Sequence, residues 1–172
     1  MKKTLVIGIG NILMTDDGLG IRAVEDMASR YVLPEEVELL DGGVAGLNLL
    51  PMMEGFEKII VIDALIIDGA RPGSIKTKVW RPDLKTSPTR GSAHGIGLCE
   101  LLNMARLTGQ KFNAIIVGMV PEKLCPGLEL SETVERKLSA LTKKVISKLT
   151  QEGYCVKERS ANARKAHGSG RG

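Results

Sequence analysis

Three short segments consist almost entirely of apolar residues, and they constrain the fold more than any other feature of the sequence. They span residues 5–9, 58–66 and 112–120. A strand that alternates apolar and polar residues buries one face, whereas an almost uninterrupted apolar strand is buried on both faces. Strands of this kind occur in parallel sheets that carry helices on each side. The sequence therefore predicts a central sheet within a layered α/β domain.

Apolar residues recur at helical spacing in three further segments, 18–31, 96–108 and 131–152. The last segment has the clearest pattern, because Ser131 can cap its first turn and Gly153 can end it. We therefore predict helices there, packed on the sheet through their apolar stripes.

The remaining elements are shorter. Residues 37–41 predict a second strand, and residues 44–54 predict a helix that Pro51 should kink or shorten. Apolar and polar residues alternate over 73–80, which is typical of an edge strand with one face in water. The predicted fold is a three-layer α/β/α sandwich around a mostly parallel, twisted sheet of about five strands.

The turn after the first strand contains two glycines and two acids. Gly8 and Gly10 begin the Gly-x-Gly-x-x-Gly pattern of a dinucleotide site, but Leu13 stands where the third glycine belongs. Asp16 and Asp17 follow near the start of the helix, where they would repel a phosphate and could attract a cation. The turn therefore favours a cation site, and the alternative is that one of the acids only caps the helix.

The chain of 172 residues suits one domain, which we place at 1–156. The net charge of +4 comes from residues 157–172, where five basic residues accompany one acid. This stretch has the composition of a disordered basic tail. Because the body is neutral overall and has no basic stripe with interleaved aromatics, we expect no nucleic-acid partner.

Cysteine usage and hydropathy indicate the compartment. Cys99, Cys125 and Cys155 are odd in number and lack Cys-x-x-Cys spacing, so neither a disulfide framework nor a thiolate zinc site is expected. No apolar run reaches membrane-spanning length, and the first strand begins without a signal-peptide pattern. We predict a cytoplasmic protein with no membrane partner.

Four ionisable residues should meet at one edge of the sheet. Asp17 follows the first strand, Asp41 ends the second, Asp63 lies near the end of the third, and His94 lies in the long loop 81–95. Ligands of open α/β sheets bind at the carboxyl ends of the strands. Two carboxylates and an imidazole suit a borderline divalent metal such as zinc, nickel or cobalt, and the same groups could activate water without one.

A nucleophilic site is the weaker alternative. Ser92 lies two residues before His94, but the Gly-x-Ser-x-Gly pattern of a nucleophile elbow is absent. Cys99 falls within a predicted helix, where a free cysteine is usually a buried apolar residue.

With these residues in view, the chain resembles the maturation endopeptidases of [NiFe] hydrogenases over about residues 1–153. The combination and order of the matching motifs are specific to that family. The matching segments are Gly8-Ile-Gly-Asn-Ile-Leu-Met-Thr-Asp-Asp-Gly18, Leu40-Asp-Gly-Gly43 with Gly46, Val61-Ile-Asp-Ala64, Ser92-Ala-His94 and Val117-Gly-Met-Val-Pro-Glu122.

The resemblance implies a single-domain peptidase that removes the C-terminal extension of a hydrogenase large-subunit precursor after nickel insertion. It implies that Asp17, Asp63 and His94 contact the metal, which is expected to be the nickel of the substrate. The matching segments also include Asp41, Asn11 and Glu122, which are secondary candidates. A resident metal, as distinct from the nickel of the precursor, is left open.

Two other functions remain to be distinguished. Gly8 and Gly10 after a strand also suit a nucleotide-binding α/β protein, although the missing third glycine and the paired acids oppose it. A non-catalytic metal-dependent maturation chaperone on the same fold is the other alternative. Loss of precursor cleavage on substitution of the three site residues would distinguish the peptidase from the chaperone.

Overall fold

A computed structural model describes residues 3–44, 46–82 and 98–160 of the chain. Its strands are β1 (Thr4–Gly8), β2 (Tyr31–Val32), β3 (Val37–Asp41), β4 (Lys58–Ala64), β5 (Ile75–Val79), β6 (Asn113–Met119) and β7 (Lys157–Glu158). Its helices are α1 (Leu19–Arg30), α2 (Leu98–Leu107) and α3 (Glu132–Gln151). Short 3-10 turns cover Thr15–Gly18, Leu47–Leu49 and Pro51–Met53.

Five of the strands form one sheet in the order β3-β1-β4-β6-β5. β3, β1, β4 and β6 are parallel, and β5 pairs antiparallel with β6 at one edge. The register places Gly8 of β1 between Asp41 of β3 and Ile62 of β4, so the carboxyl ends of these three strands lie side by side. The predicted mostly parallel sheet, with its edge strand within 73–80, is confirmed.

Helical segments cover both faces of the sheet, as the uninterrupted apolar strands predict. On one face, α1 and α3 pack against alternate strand residues such as Val6 and Ile60. On the other face, α2 and the turns near Leu49 and Met53 pack against the intervening residues, such as Ile7 and Ile59. Each inner strand thus contributes to two hydrophobic cores, and the three-layer fold is confirmed.

Two glycines allow α1 to approach the sheet closely. A Cβ at Gly8 would lie 2.2 Å from the carbonyl oxygen of Gly20. A Cβ at Gly20 would lie 2.3 Å from the carbonyl oxygens of both Ile9 and Ile62. Close helix–strand packing is what the third glycine of a dinucleotide pattern provides. In this chain Gly20 provides it, seven positions beyond Leu13, after a longer loop.

Two predicted elements differ from the structure. The predicted helix over 44–54 is a pair of 3-10 turns, because Pro51 has no amide proton to continue a helix and instead begins the second turn. The predicted tail from 157 begins too early, since β7 pairs antiparallel with β2 and the Arg159 amide donates to the Arg30 carbonyl at 2.7 Å. Residues 161–172 of the predicted tail lie outside the described residues.

The ends of α3 follow the prediction. The Ser131 hydroxyl accepts a hydrogen bond from the Val134 amide at 3.4 Å, and Gly153 has a φ of +92° just beyond the helix. Cys99 is buried, and Cys125 and Cys155 are exposed and form no disulfide. Among the described residues, no helix is both long enough and apolar enough to cross a membrane.

Candidate active site

Asp17 lies in the 3-10 turn that connects β1 to α1. Its carboxylate oxygen Oδ2 accepts a hydrogen bond from the backbone amide of Asn11 at 2.9 Å. The turn can fold this tightly because Gly10 has a φ of +141°, and a Cβ there would lie 1.7 Å from the carbonyl oxygen of Asp17. The backbone around Gly10 therefore holds the Asp17 carboxylate at the end of β1.

Asp63 is the last residue but one of β4, on the strand next to β1. Its side chain is buried, with 7% of the residue exposed, and Oδ1 accepts a hydrogen bond from the Ala64 amide at 2.8 Å. Burial raises the pKa of Asp63 well above its usual value, because water no longer stabilises the charged form. The Ala64 amide opposes this increase in pKa, and the negative charge of Asp17 adds to it.

The electrostatic effect of Asp17 on Asp63 shows that the two carboxyl groups are close enough to interact. Their surroundings differ, since Asp17 is half-buried and Asp63 is buried. Two neighbouring acids in unlike surroundings can hold different protonation states, which is how pairs of carboxyl groups divide acid and base roles. Asp17 thus follows β1 and Asp63 lies on the neighbouring strand β4, and the charge of Asp17 is the smallest of the three influences on the pKa of Asp63.

Asp41 lies at the same edge, one strand away on the other side of β1. It is exposed, and its Oδ1 accepts a hydrogen bond from the Gly43 amide at 2.9 Å. This contact closes the turn after β3, as an aspartate at the start of a turn commonly does. The structure thus brings Asp41 to the predicted edge and gives it a local hydrogen bond there.

Asn11 and Glu122 also lie in loops at this edge. The Asn11 side-chain oxygen accepts from the Leu13 amide at 2.9 Å, which fixes the loop that binds Asp17. Glu122 is exposed, and hydrogen bonding from the Thr133 side chain lowers the pKa of its carboxyl group. The side chain of Glu122 therefore contacts the first turn of α3.

Most of the predicted loop 81–95 lies outside the described residues, from residue 83 onward. This part includes Ser92 and His94. Within 3–44, 46–82 and 98–160, no group of three or more His, Cys, Asp or Glu side chains is arranged to bind a metal ion. Asp17 and Asp63 alone would supply two oxygen ligands. Cys99 is buried on α2 among apolar residues, as expected for a cysteine within a helix that packs on the sheet.

Sequence reasoning did not distinguish the role of Asp16 from that of its neighbour. Asp16 is fully buried, and its carboxylate accepts hydrogen bonds from the loop that connects β6 to α3. The four donors are the amides of Glu122 (2.8 Å), Lys123 (2.9 Å) and Ser131 (2.7 Å) and the Ser131 hydroxyl (2.8 Å). Asp16 thus fastens the loop after β6 to the loop after β1.

The alternative that Asp16 or Asp17 caps the following helix is wrong. Neither the 3-10 turn nor α1 has a side-chain hydrogen bond at its N-cap. Thr15, immediately before Asp16, has a φ of +45°, and its hydroxyl donates to the Lys123 carbonyl at 2.8 Å. A strained residue at this point is consistent with a loop whose conformation is determined by its partners in the β6–α3 loop.

Comparison with known proteins identifies the family. The model of the hydrogenase maturation protease family HycI matches residues 21–148. The hydrogenase 2 maturation protease of Escherichia coli K12 is 38% identical over 154 residues, which cover 88% of this chain and 93% of that protein. The hydrogenase expression/formation protein HupD of Bradyrhizobium diazoefficiens is 35% identical over 164 residues, which cover 92% of this chain and 84% of that protein.

Solved structures agree with the sequence relatives. The hydrogenase maturating endopeptidase HybD of Escherichia coli superposes with a TM-score of 0.80 at 35% identity, over 92% of this chain and 98% of that one. A hydrogenase 2 maturation peptidase from a thaumarchaeon has a TM-score of 0.67 at 33% identity, over 87% of this chain and 99% of its own. With its acid pair at the strand ends and these relatives along nearly its whole length, the chain belongs to the hydrogenase maturation protease family.

Proposed function

We propose that this chain is the endopeptidase that removes the C-terminal extension from the large-subunit precursor of a [NiFe] hydrogenase after nickel insertion. The observation that carries the proposal is the pair formed by half-buried Asp17 and buried Asp63 at the carboxyl ends of adjacent strands. Membership of a family of hydrogenase maturation proteases supports the reaction class. The nickel belongs to the substrate in this proposal.

Peptide hydrolysis needs a group that takes a proton from water and a group that gives one to the leaving amine. Burial raises the pKa of Asp63, so this carboxyl group accepts a proton at a higher pH than an exposed aspartate does. We assign proton transfer to Asp63, with Asp17 as the second carboxyl group of the site. His94 is the proposed third member, and an imidazole is the commonest proton-transfer group in enzymes.

The same three residues form a donor set for the substrate's metal. Two carboxylates and one imidazole suit a borderline divalent ion such as nickel, and they leave coordination positions for ligands from the precursor. A site that the precursor's nickel completes would cleave only metal-loaded substrate. In this proposal Asn11 supports Asp17 through its amide, while Asp41 and Glu122 keep the surrounding turns in place.

We place the reaction in the cytoplasm. Cys125 and Cys155 are exposed and form no disulfide. Exposed free thiols persist in a reducing compartment. Fractionation of cells that produce the protein, with immunodetection of each fraction, tests this placement, and recovery outside the cytoplasmic fraction contradicts it.

The test is incubation of the protein with nickel-loaded large-subunit precursor, followed by mass measurement of both products. We expect Asp17→Asn, Asp63→Asn and His94→Ala each to reduce cleavage at least about 100-fold, the lower end of the usual effect of removing a proton-transfer group. Glu38→Gln is the matched control, because Glu38 is an exposed acid near the amino end of β3, away from the carboxyl ends where Asp41 and Asp63 lie. It should cleave at the wild-type rate.

Three results would contradict the proposal. Equal cleavage of metal-free and nickel-loaded precursor would show that cleavage does not depend on the substrate's nickel. Full activity of the Asp17 and Asp63 variants would show that the acid pair takes no part in the reaction. Binding of the precursor without any cleavage by the wild type would favour the maturation chaperone instead.

A further inference from the structure

Exposed apolar side chains are concentrated around the carboxyl ends of the parallel strands. Leu13 is 59% exposed and Leu128 is 63% exposed, although each is large and aliphatic. We name as the apolar rim six exposed residues from four loops: Ile12, Leu13, Val44, Ile66, Leu124 and Leu128. These loops follow β1, β3, β4 and β6 in turn. Single exposed apolar residues are common, but a cluster on several loops marks an interaction surface.

Backbone hydrogen bonds join the loops of the apolar rim to one another. The Gly10 amide donates to the Gly43 carbonyl at 2.9 Å, which links the loops after β1 and β3. The Gly127 amide donates to the Leu13 carbonyl at 3.0 Å, which links the loop after β1 to the loop after β6. The Leu65 amide donates to the Met119 carbonyl at 3.0 Å, so the loop after β4 begins beside the end of β6. The backbones of the loops that carry the rim are therefore held to one another.

The apolar rim also adjoins the acid pair. Ile12 and Leu13 directly follow Asn11, whose backbone amide donates a hydrogen bond to the Asp17 carboxylate. On the other side, the loop that carries Leu124 and Leu128 is fastened by Asp16, the residue before Asp17. The loops of the apolar rim therefore lie beside the segment that carries Asp17.

We propose that the apolar rim docks an apolar surface of the precursor next to its scissile bond, and that this contact supplies much of the binding of the substrate. The inference rests on the proposed function, because it assigns the rim to the same substrate. The occupant follows from the continuity of the rim with the acid pair. Because the Asp16 hydrogen bonds hold the β6–α3 loop in place before binding, Leu124 and Leu128 lose little freedom on docking.

The test compares three leucine-to-serine variants. Leu13→Ser and Leu128→Ser remove rim side chains, and Leu107→Ser is the matched control. Leu107 is 77% exposed at the end of α2, shortly before β6 begins, and so lies at the opposite edge of the sheet. We expect each rim variant to raise the KM for nickel-loaded precursor roughly tenfold at unchanged kcat, the usual effect of truncating an interface anchor. The control should match the wild type.

A direct binding measurement separates this inference from the proposed function. Precursor affinity is measured for the wild type and all three variants, together with cleavage and with the mass of the free protein by sedimentation. Precursor bound by the wild type but not cleaved, with weaker binding by both rim variants, refutes the proposed function and supports the rim. If both rim variants and the wild type have equal affinity and equal KM for the precursor, the rim does not dock the precursor. The proposed cleavage reaction would be unaffected by that result.

Two further outcomes also count against the rim. A wild-type dimer that Leu13→Ser and Leu128→Ser convert to monomers, with unchanged precursor affinity, makes the rim a contact between copies of this chain. A wild type that does not bind the precursor refutes both proposals. Equal thermal midpoints for the three variants check that exposed substitutions have not altered the fold.

Discussion

Asp16 offers the sharpest test of how the strand-end loops are held together. Its carboxylate is fully buried and accepts four hydrogen bonds, three of them at Oδ2 and one at Oδ1. Asp16→Asn keeps the size of the side chain but replaces one oxygen with an amide group that only donates. The least costly orientation keeps the oxygen at the Oδ2 position, which leaves the Ser131 amide facing another donor.

The cost can be estimated from these contacts. One buried amide without an acceptor costs about 1–3 kcal/mol. The other three hydrogen bonds lose the extra strength that an ionised acceptor gives them, which we estimate at ~1–2 kcal/mol together. We therefore expect Asp16→Asn to lower the free energy of unfolding by about 3 kcal/mol, a large share of the roughly 5–15 kcal/mol available to an ordinary domain.

Urea unfolding measures this change. With a dependence of ~2 kcal/mol per molar urea, the unfolding midpoint of Asp16→Asn should fall by ~1.5 M at an unchanged slope. Asp68→Asn is the matched control, since Asp68 is exposed, and its midpoint should remain within about 0.3 M of the wild type. A midpoint for Asp16→Asn as close to the wild type as that of the control would refute the assigned hydrogen bonds.

Two further predictions concern Asp63 and Gly20. Folding raises the pKa of Asp63 above its usual 3.8, so the folded chain binds the carboxyl proton of Asp63 more tightly than the unfolded chain does. The free energy of unfolding therefore falls as pH rises from 3.8 through the folded pKa. Asp63→Asn should therefore be more stable than the wild type at pH 7.5, on the order of 1–2 kcal/mol, with a smaller difference near pH 4 in urea unfolding; a destabilised variant at pH 7.5 contradicts this. Gly20→Ala should lose at least about 3 kcal/mol, although alanine favours helices, because its Cβ would lie 2.3 Å from the carbonyls of Ile9 and Ile62. Thermal unfolding checks it, and a midpoint at or above the wild-type value would disprove the close contact.

The sequence predicts most of the fold because its main signals are local. Buried strands appear as uninterrupted apolar runs, and α3 appears as an apolar stripe between Ser131 and Gly153. The predicted helix over 44–54 failed because the apolar spacing there resembles that of a helix, whereas Pro51 has no amide proton to donate inside a helix and begins a separate 3-10 turn. Neighbouring residues carry all of this information.

The strand-end position of the acids also follows from the sequence. Asp17, Asp41 and Asp63 each occur at or just beyond the end of an apolar or short strand, and parallel strands place such residues at one edge. His94 stays a prediction, because it lies outside the described residues. The burial of Asp63 and its electrostatic contact with Asp17 depend on the packing of β4 beside β1.

The different surroundings of two adjacent aspartates arise only from tertiary packing. Asp16 and Asp17 are identical in type and differ by one position, yet Asp16 binds Ser131, 115 positions away in the chain, while the Asp17 carboxylate accepts from the Asn11 backbone amide in its own loop. No local pattern distinguishes them, since the partners of Asp16 arrive only when β6 and α3 have packed on the sheet. Local patterns place acids near the strand ends, whereas the packing of distant loops buries Asp16 in hydrogen bonds and leaves Asp17 half-buried.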